Sequence, residues 1–183
     1  MIWAEHDFEN ILFSEETISK RVIALGTEIT RDYRGSNSSL MLIGILKGSF
    51  IFLADLARVI DLDCEIRFIS ASSYGAGFVT SGTVNIGKTL DFEVAGRDIL
   101  LIEDILDSGV TMTALREFLT ELGPASLKIC TLLDKIERRK VPIAADYTGF
   151  ECPDEFVVGY GLDFAERYRN LPYIASLKPE VYS

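Results

Sequence analysis

Short, unbroken apolar runs, separated by stretches of helical periodicity, constrain this chain more than any other feature. Residues 40–46, 99–102 and 127–133 are the clearest runs; 64–70 and 156–158 are weaker ones. Apolar runs of this length suit strands buried on both faces. Between them, residues 49–60 repeat at helical spacing, and residues 111–122 set Met112, Leu115, Leu119 and Leu122 on one face. Gly123-Pro124 stops that second helix. Ahead of the first run, Ser14 can cap a helix, with Phe13 and Ile18 placed as a hydrophobic staple. Ile18, Val22, Leu25, Ile29 and Tyr33 continue it. Strands alternating with helices imply parallel pairing. The expected class is α/β, an open and mainly parallel sheet flanked by helices, with residues 156–158 as a short fifth strand. Ligands of such sheets bind beyond the carboxyl ends of the strands. Lys47-Gly48-Ser49, residues 72–75, residues 103–111 and Asp134-Lys135 are the segments to inspect.

Charge narrows the partners. Eighteen Lys and Arg against 28 Asp and Glu leave a net charge of −10 in 183 residues. A chain this acidic lacks the basic face that nucleic acid or an anionic membrane requires. It still accommodates a small anionic substrate, because a few local cations or a metal ion reverse the field inside one pocket. Cys64, Cys130 and Cys152 are far apart and odd in number, which reads as reduced thiols in a cytoplasmic protein. The only histidine, His6, argues against a histidine metal site or a Ser-His-Asp triad. The first residues, Met-Ile-Trp-Ala-Glu-His-Asp, lack the basic region of a signal peptide. The most apolar stretch, residues 40–57, is interrupted by Lys47, Gly48 and Asp55 and is not a membrane span.

Two segments carry phosphate-binding patterns. Gly82-Thr-Val-Asn-Ile-Gly87-Lys88-Thr89 fits G-x-x-x-x-G-K-[ST], but a P-loop needs a strand before it and a helix after it. A Gly/Ser-rich segment precedes this one, and Leu90-Asp91-Phe92-Glu93-Val94 alternates like a strand. The stronger pattern is Ile99-Leu-Leu-Ile-Glu103-Asp104-Ile105-Leu106-Asp107-Ser108-Gly109-Val110-Thr111. A buried strand runs into two carboxylates, then into a loop of small residues that opens a helix. Loop N–H groups and the helix N-terminus make an anion site. Ser108 and Thr111 add hydroxyl donors, and Gly109 allows the backbone close to a ligand. Glu103 and Asp104 suit ribose hydroxyls or a Mg²⁺ that also holds the ligand. Together these parts describe a cradle for ribose 5-phosphate.

That signature resembles the phosphoribosyl-diphosphate loop of type I phosphoribosyltransferases. Leu46-Lys47-Gly48, Ser73-Tyr74-Gly75, Leu133-Asp134-Lys135, residues 156–163 and residues 167–171 match the hypoxanthine-guanine branch of that family, in order and over nearly the whole chain. The resemblance implies a single domain over residues 1–183, with a flap about 72–87 and a hood built from N-terminal residues and about 150–183. It implies transfer of the phosphoribosyl group to N9 of hypoxanthine or guanine, with Mg²⁺ as cofactor. It also implies a homodimer or homotetramer.

The same resemblance assigns roles. Asp107 is the expected base toward the purine; a loop aspartate capping Gly109 or Val110 is the alternative. Glu103 and Asp104 would hold ribose and metal, and Ser108, Gly109 and Thr111 the 5′-phosphate. Lys47, after a cis peptide, and Gly48 would meet pyrophosphate, as would Arg169, while Asp163 would lie near a second metal. Lys135 would face the purine 6-oxo group, unless Lys135-Ile-Glu-Arg138-Arg139-Lys140 is a solvated face. Phe156 would stack on the base, or else be core, and Val157 would read the purine edge with its backbone. Ser73 and Tyr74 would begin the flap. Two rivals stay open: a xanthine-specific relative, and a nucleotide sensor without turnover.

Overall fold

The computed structural model describes residues 5–36, 38–70 and 90–182. Five strands form a parallel sheet: β2 (Leu40–Leu46), β3 (Cys64–Ser70), β4 (Asp98–Leu106), β5 (Ser126–Asp134) and β6 (Tyr147–Glu151), in the order β3-β2-β4-β5-β6. Helices α1 (Glu15–Tyr33) and α2 (Phe50–Val59) cover one face, and α3 (Val110–Glu121) covers the other. Strand alternation divides the apolar runs between the two layers. Leu40, Leu42, Leu100, Ile102 and Leu132 pack with α1 and α2, whereas Met41, Ile43, Ile99, Leu101 and Ile129 pack with α3.

Local chemistry sets the helix ends. The Ser14 hydroxyl accepts the Thr17 N–H at 3.2 Å and starts α1, while Phe13 stacks on Phe150 of β6 at 4.3 Å. From α1, Arg21 donates to the carbonyls of Gly149 at 3.0 Å and Thr148 at 2.6 Å. These bonds tie α1 to β6, which ends the order of the sheet.

Three expectations change. The fifth strand of the parallel sheet is β6, not residues 156–158. Val157–Val158 (β7) is buried, but it belongs to a separate antiparallel sheet with β1 (Phe8–Phe13) and β8 (Ile174–Leu177), in the order β1-β8-β7. An apolar run signals burial and does not say which sheet receives it. Residues 90–94 form no strand; Val94 is buried, and Leu90 and Phe92 pack beside it against the α3-side core. The strand β4 also continues through Glu103 and Asp104, so both carboxylates stand on the strand and the loop begins at Asp107.

Leu42 is fully buried on the second strand in the sheet order. Leu42→Ala removes that packing and leaves a cavity, with an expected cost of about 2–5 kcal/mol. The urea midpoint should fall accordingly at unchanged slope; an unaltered midpoint would contradict the placement.

Candidate active site

The ends of β2, β4 and β5 bring most of the expected residues to one edge of the sheet. Leu106 pairs with Asp134 at the last register position of β4 and β5, and the Lys135 N–H then donates to the Leu106 carbonyl at 3.0 Å. Lys135 is thereby pinned beside Asp107. It is not part of a solvated face: only 6% of its surface is exposed, and its Nζ donates to the Glu155 carbonyl at 2.6 Å. Arg139, in the same basic run, is also interior. It donates to the carbonyls of Leu106 (3.0 Å) and Asp107 (2.6 Å) and pairs with Asp134.

The loop expected to receive the phosphate has the backbone form that its sequence implies. Gly109 adopts φ +80° and caps α3, and the first intrahelical bond runs from Thr113 N–H to the Gly109 carbonyl at 2.9 Å. The N–H groups of Val110, Thr111 and Met112 precede that bond and have no carbonyl within the helix. Ser108 Oγ lies 3.5 Å from the Val110 nitrogen. The space a Gly109 side chain would need is filled by Ile143 and Arg139, so packing and the left-handed φ also require the glycine there.

The Leu46–Lys47 peptide is cis. Beyond it, Gly48 lies against the Asp104 carboxyl on one side, and its carbonyl fills the space of a Gly161 side chain on the other. Three segments therefore meet at Gly48. Lys47 Nζ pairs with Glu166 at 3.0 Å, and that contact, with Arg169 nearby, holds the Glu166 carboxyl below its ordinary range. Arg169 donates to the Gly161 carbonyl at 2.8 Å and pairs with Asp163 at 2.9 Å. The other Asp163 oxygen accepts the Glu166 N–H at 2.8 Å.

On the opposite side, Phe156 keeps 37% exposure, with Tyr182 stacked at 4.9 Å and Phe164 edge-on at 5.5 Å. It is not a core phenylalanine. Val157 is buried in β7 opposite Ser176, and the Phe156 carbonyl accepts the Leu177 N–H at 2.8 Å. Ser73 and Tyr74, with the whole expected flap and the Gly82 to Thr89 pattern, lie outside the described residues. Sequence reasoning did not single out Glu166, Arg138, Arg139 or Tyr182. Only the basic run around residue 138 hinted at any of them.

A family model of the phosphoribosyl transferase domain matches residues 11–165. The chain belongs to the phosphoribosyl transferase family. The hypoxanthine-guanine phosphoribosyltransferase of Bacillus subtilis (strain 168) is 54% identical over 178 residues, which cover 97% of this chain and 98% of that protein. The hypoxanthine phosphoribosyltransferase of Escherichia coli (strain K12) is 48% identical over 167 residues, covering 91% of this chain and 94% of its own. Among solved structures, a hypoxanthine phosphoribosyltransferase from Staphylococcus aureus superposes with a TM-score of 0.92 at 47% identity, over 100% of this chain and 99% of that one.

Electrostatics mark the two strand carboxylates of this phosphoribosyl transferase site. Desolvation by the surrounding sheet, followed by the neighbouring Asp104 charge, pushes the Glu103 carboxyl well above its ordinary range. Asp104 is raised by desolvation too, with partial relief from Glu103 and from the Ile105 N–H at 2.9 Å. Oxygen donors under mutual repulsion fit a hard divalent cation. Among the described residues no group of three or more Asp, Glu, His or Cys could hold a metal alone, so Asp163 is not gathered with Glu103 and Asp104. Two carboxylates suffice for Mg²⁺ when the substrate supplies further oxygens.

A raised carboxyl means that the folded state holds protons the unfolded chain has released. Stability contributed by Glu103 is thus complete below its ordinary value of 4.5 and is lost as pH rises through the folded value. Glu103→Gln removes this loss. In EDTA, its thermal midpoint should exceed the parent's at pH 7.5, by about 2–4 °C for each kcal/mol relieved, and converge with it near pH 4. A midpoint below the parent's at pH 7.5 would contradict the electrostatic assignment.

Proposed function

We propose that the protein is a purine-salvage enzyme that transfers the 5-phosphoribosyl group from phosphoribosyl diphosphate to N9 of hypoxanthine or guanine. IMP or GMP and pyrophosphate are the products. The observation that supports this reading most is the Leu106–Asp134 register with the Lys135 N–H on the Leu106 carbonyl, which sets Asp107 and Lys135 each one residue beyond the joined strand ends, beside the free N–H groups at the start of α3.

The reaction breaks the C1–pyrophosphate bond and forms the C1–N9 bond. Charge on the departing pyrophosphate must be stabilised, the sugar fixed and a purine proton removed. Ser108, Gly109 and Thr111 hold the 5′-phosphate at the α3 start. Lys47, Gly48 and Arg169 receive the pyrophosphate. Glu103 and Asp104 bind the ribose hydroxyls and would hold Mg²⁺, which neutralises pyrophosphate charge when bound. Asp107 accepts the proton from the purine. Lys135 has three N–H donors, of which Glu155 takes one, so it can also donate to a 6-oxo group. Adenine offers an amino group there and leaves the remaining donors of the buried cation without an acceptor, which supports selection of oxopurines. Phe156 presents its ring to the base, and Val157 offers its backbone. Asp163 holds Arg169 in place.

The assembly we propose is a homodimer or homotetramer. A groove of about 500 Å³ between α1, α2 and residues 170–172 is bordered by Ile23 and Ile51, and Phe50 is exposed on the same helix pair. These supply apolar surface for self-association. We place the protein in the cytoplasm, on the support of three free cysteines. No helix among the described residues is long and apolar enough to cross a membrane.

Ultraviolet assays with Mg²⁺, phosphoribosyl diphosphate and one base at a time test the reading. Turnover is expected with hypoxanthine or guanine and not with adenine. Turnover with xanthine alone would indicate a shifted base preference. Nucleotide binding without turnover would replace the enzyme reading with a sensor. Asp107→Asn should lower kcat by about 10²–10⁴-fold with little change in KM for phosphoribosyl diphosphate.

A further inference from the structure

Asp107 is held at both its backbone and its carboxylate by consecutive arginines. Arg139 donates to the Asp107 carbonyl at 2.6 Å from a largely buried position. Arg138, on the neighbouring single turn of residues 136–138, brings Nε to 3.1 Å from Asp107 Oδ1. The same guanidinium reaches Asp154 at 3.1 Å through Nη1. Asp154 lies two residues before Phe156. One planar fork thus joins the loop carrying Asp107 to the segment carrying the exposed aromatic ring.

We infer that Arg138 is a positioning residue for the Asp107 carboxylate. This rests on the reading of Asp107 as the proton acceptor. The contact with Oδ1 is ionic, without hydrogen-bond alignment, and Oδ1 is buried with no aligned donor. Asp107 as a whole is nonetheless half exposed, so its accessible surface lies on the rest of the group. Arg138 therefore holds one oxygen inward and leaves the accessible surface on the rest of the carboxylate. It fixes χ angles that a loop aspartate would otherwise sample freely. A lysine at this position keeps the charge but cannot span both carboxylates, because the two contacts use different nitrogens of one rigid plane.

A double-mutant cycle tests this in the full-length protein, with kcat and both KM values measured in saturating Mg²⁺. Arg138→Ala is expected to lower kcat roughly 3–30-fold, below the ~10²-fold cost of misplacing a reacting group by 1 Å, with KM for phosphoribosyl diphosphate unchanged. Arg138→Lys should recover part of that loss. The thermal midpoint should hardly move, since half-exposed ion pairs contribute little to stability. In an Asp107→Asn background, measured by single turnover, Arg138→Ala should have no further effect on the rate. The same fold-loss in both backgrounds, or an unchanged kcat in the single variant, overturns the positioning role. Full turnover by Asp107→Asn alone would instead overturn the assignment of Asp107 on which it rests.

Discussion

The site depends on one guanidinium buried between the ends of two strands. Arg139 satisfies the carbonyls of Leu106 and Asp107, where the β4 ladder has ended, and pairs with Asp134, where β5 ends. Without it, the Asp107 carbonyl and the largely buried Asp134 carboxylate would lose this partner, and the Leu106 carbonyl would keep only the Lys135 N–H. Removing one partner of a buried pair costs about 3–5 kcal/mol. The Lys135 N–H on the Leu106 carbonyl extends the same join by one residue. Asp107 and Lys135 therefore keep a fixed separation although both lie in loops. A loop supplies access, and the ladder beneath it supplies precision.

A second convergence lies at Gly48. Asp104 presses on one side of it and Gly161 lies against its carbonyl, so the β2 loop, the β4 strand and the 159–163 turn occupy one point. The turn beyond it is strained: Tyr160, Ala165, Glu166 and Tyr168 all carry positive φ without being glycine. Such residues persist only where surrounding contacts determine them. Here the contacts are Lys47 to Glu166, Glu166 N–H to Asp163, and Arg169 to both Asp163 and the Gly161 carbonyl. The cations expected to meet pyrophosphate are thus positioned by carboxylates of the same turn.

Much of this was legible in the sequence, and the exceptions have physical causes. The strands β2, β4 and β5 announced themselves because burial on both faces demands unbroken apolar runs. The strand β6 did not: it ends the sheet order, carries Gly149 and two polar residues, and is tied down by Arg21. The form of the 107–111 loop was legible because its small residues and hydroxyls are contiguous in sequence. Lys135, Arg138 and Arg139 were not separable from a solvated run. Their residue types are alike, yet Arg139 is 13% exposed beside Asp134 and Arg138 51% exposed beside Asp107. Phe156 was ambiguous for the opposite reason, because an aromatic ring serves core and ligand stacking equally well.

Glu103 and Asp104 show what the arrangement costs the free protein. A strand segment at the centre of a parallel sheet is the most rigid place to mount two carboxylates, and also the place where charging them is least favourable. Rigid, crowded oxygens are nevertheless what a divalent cation and a ribose diol require, since neither tolerates a donor that wanders. Under the proposed role, a bound cation would relieve the repulsion between the two groups, so that binding and stability would rise together.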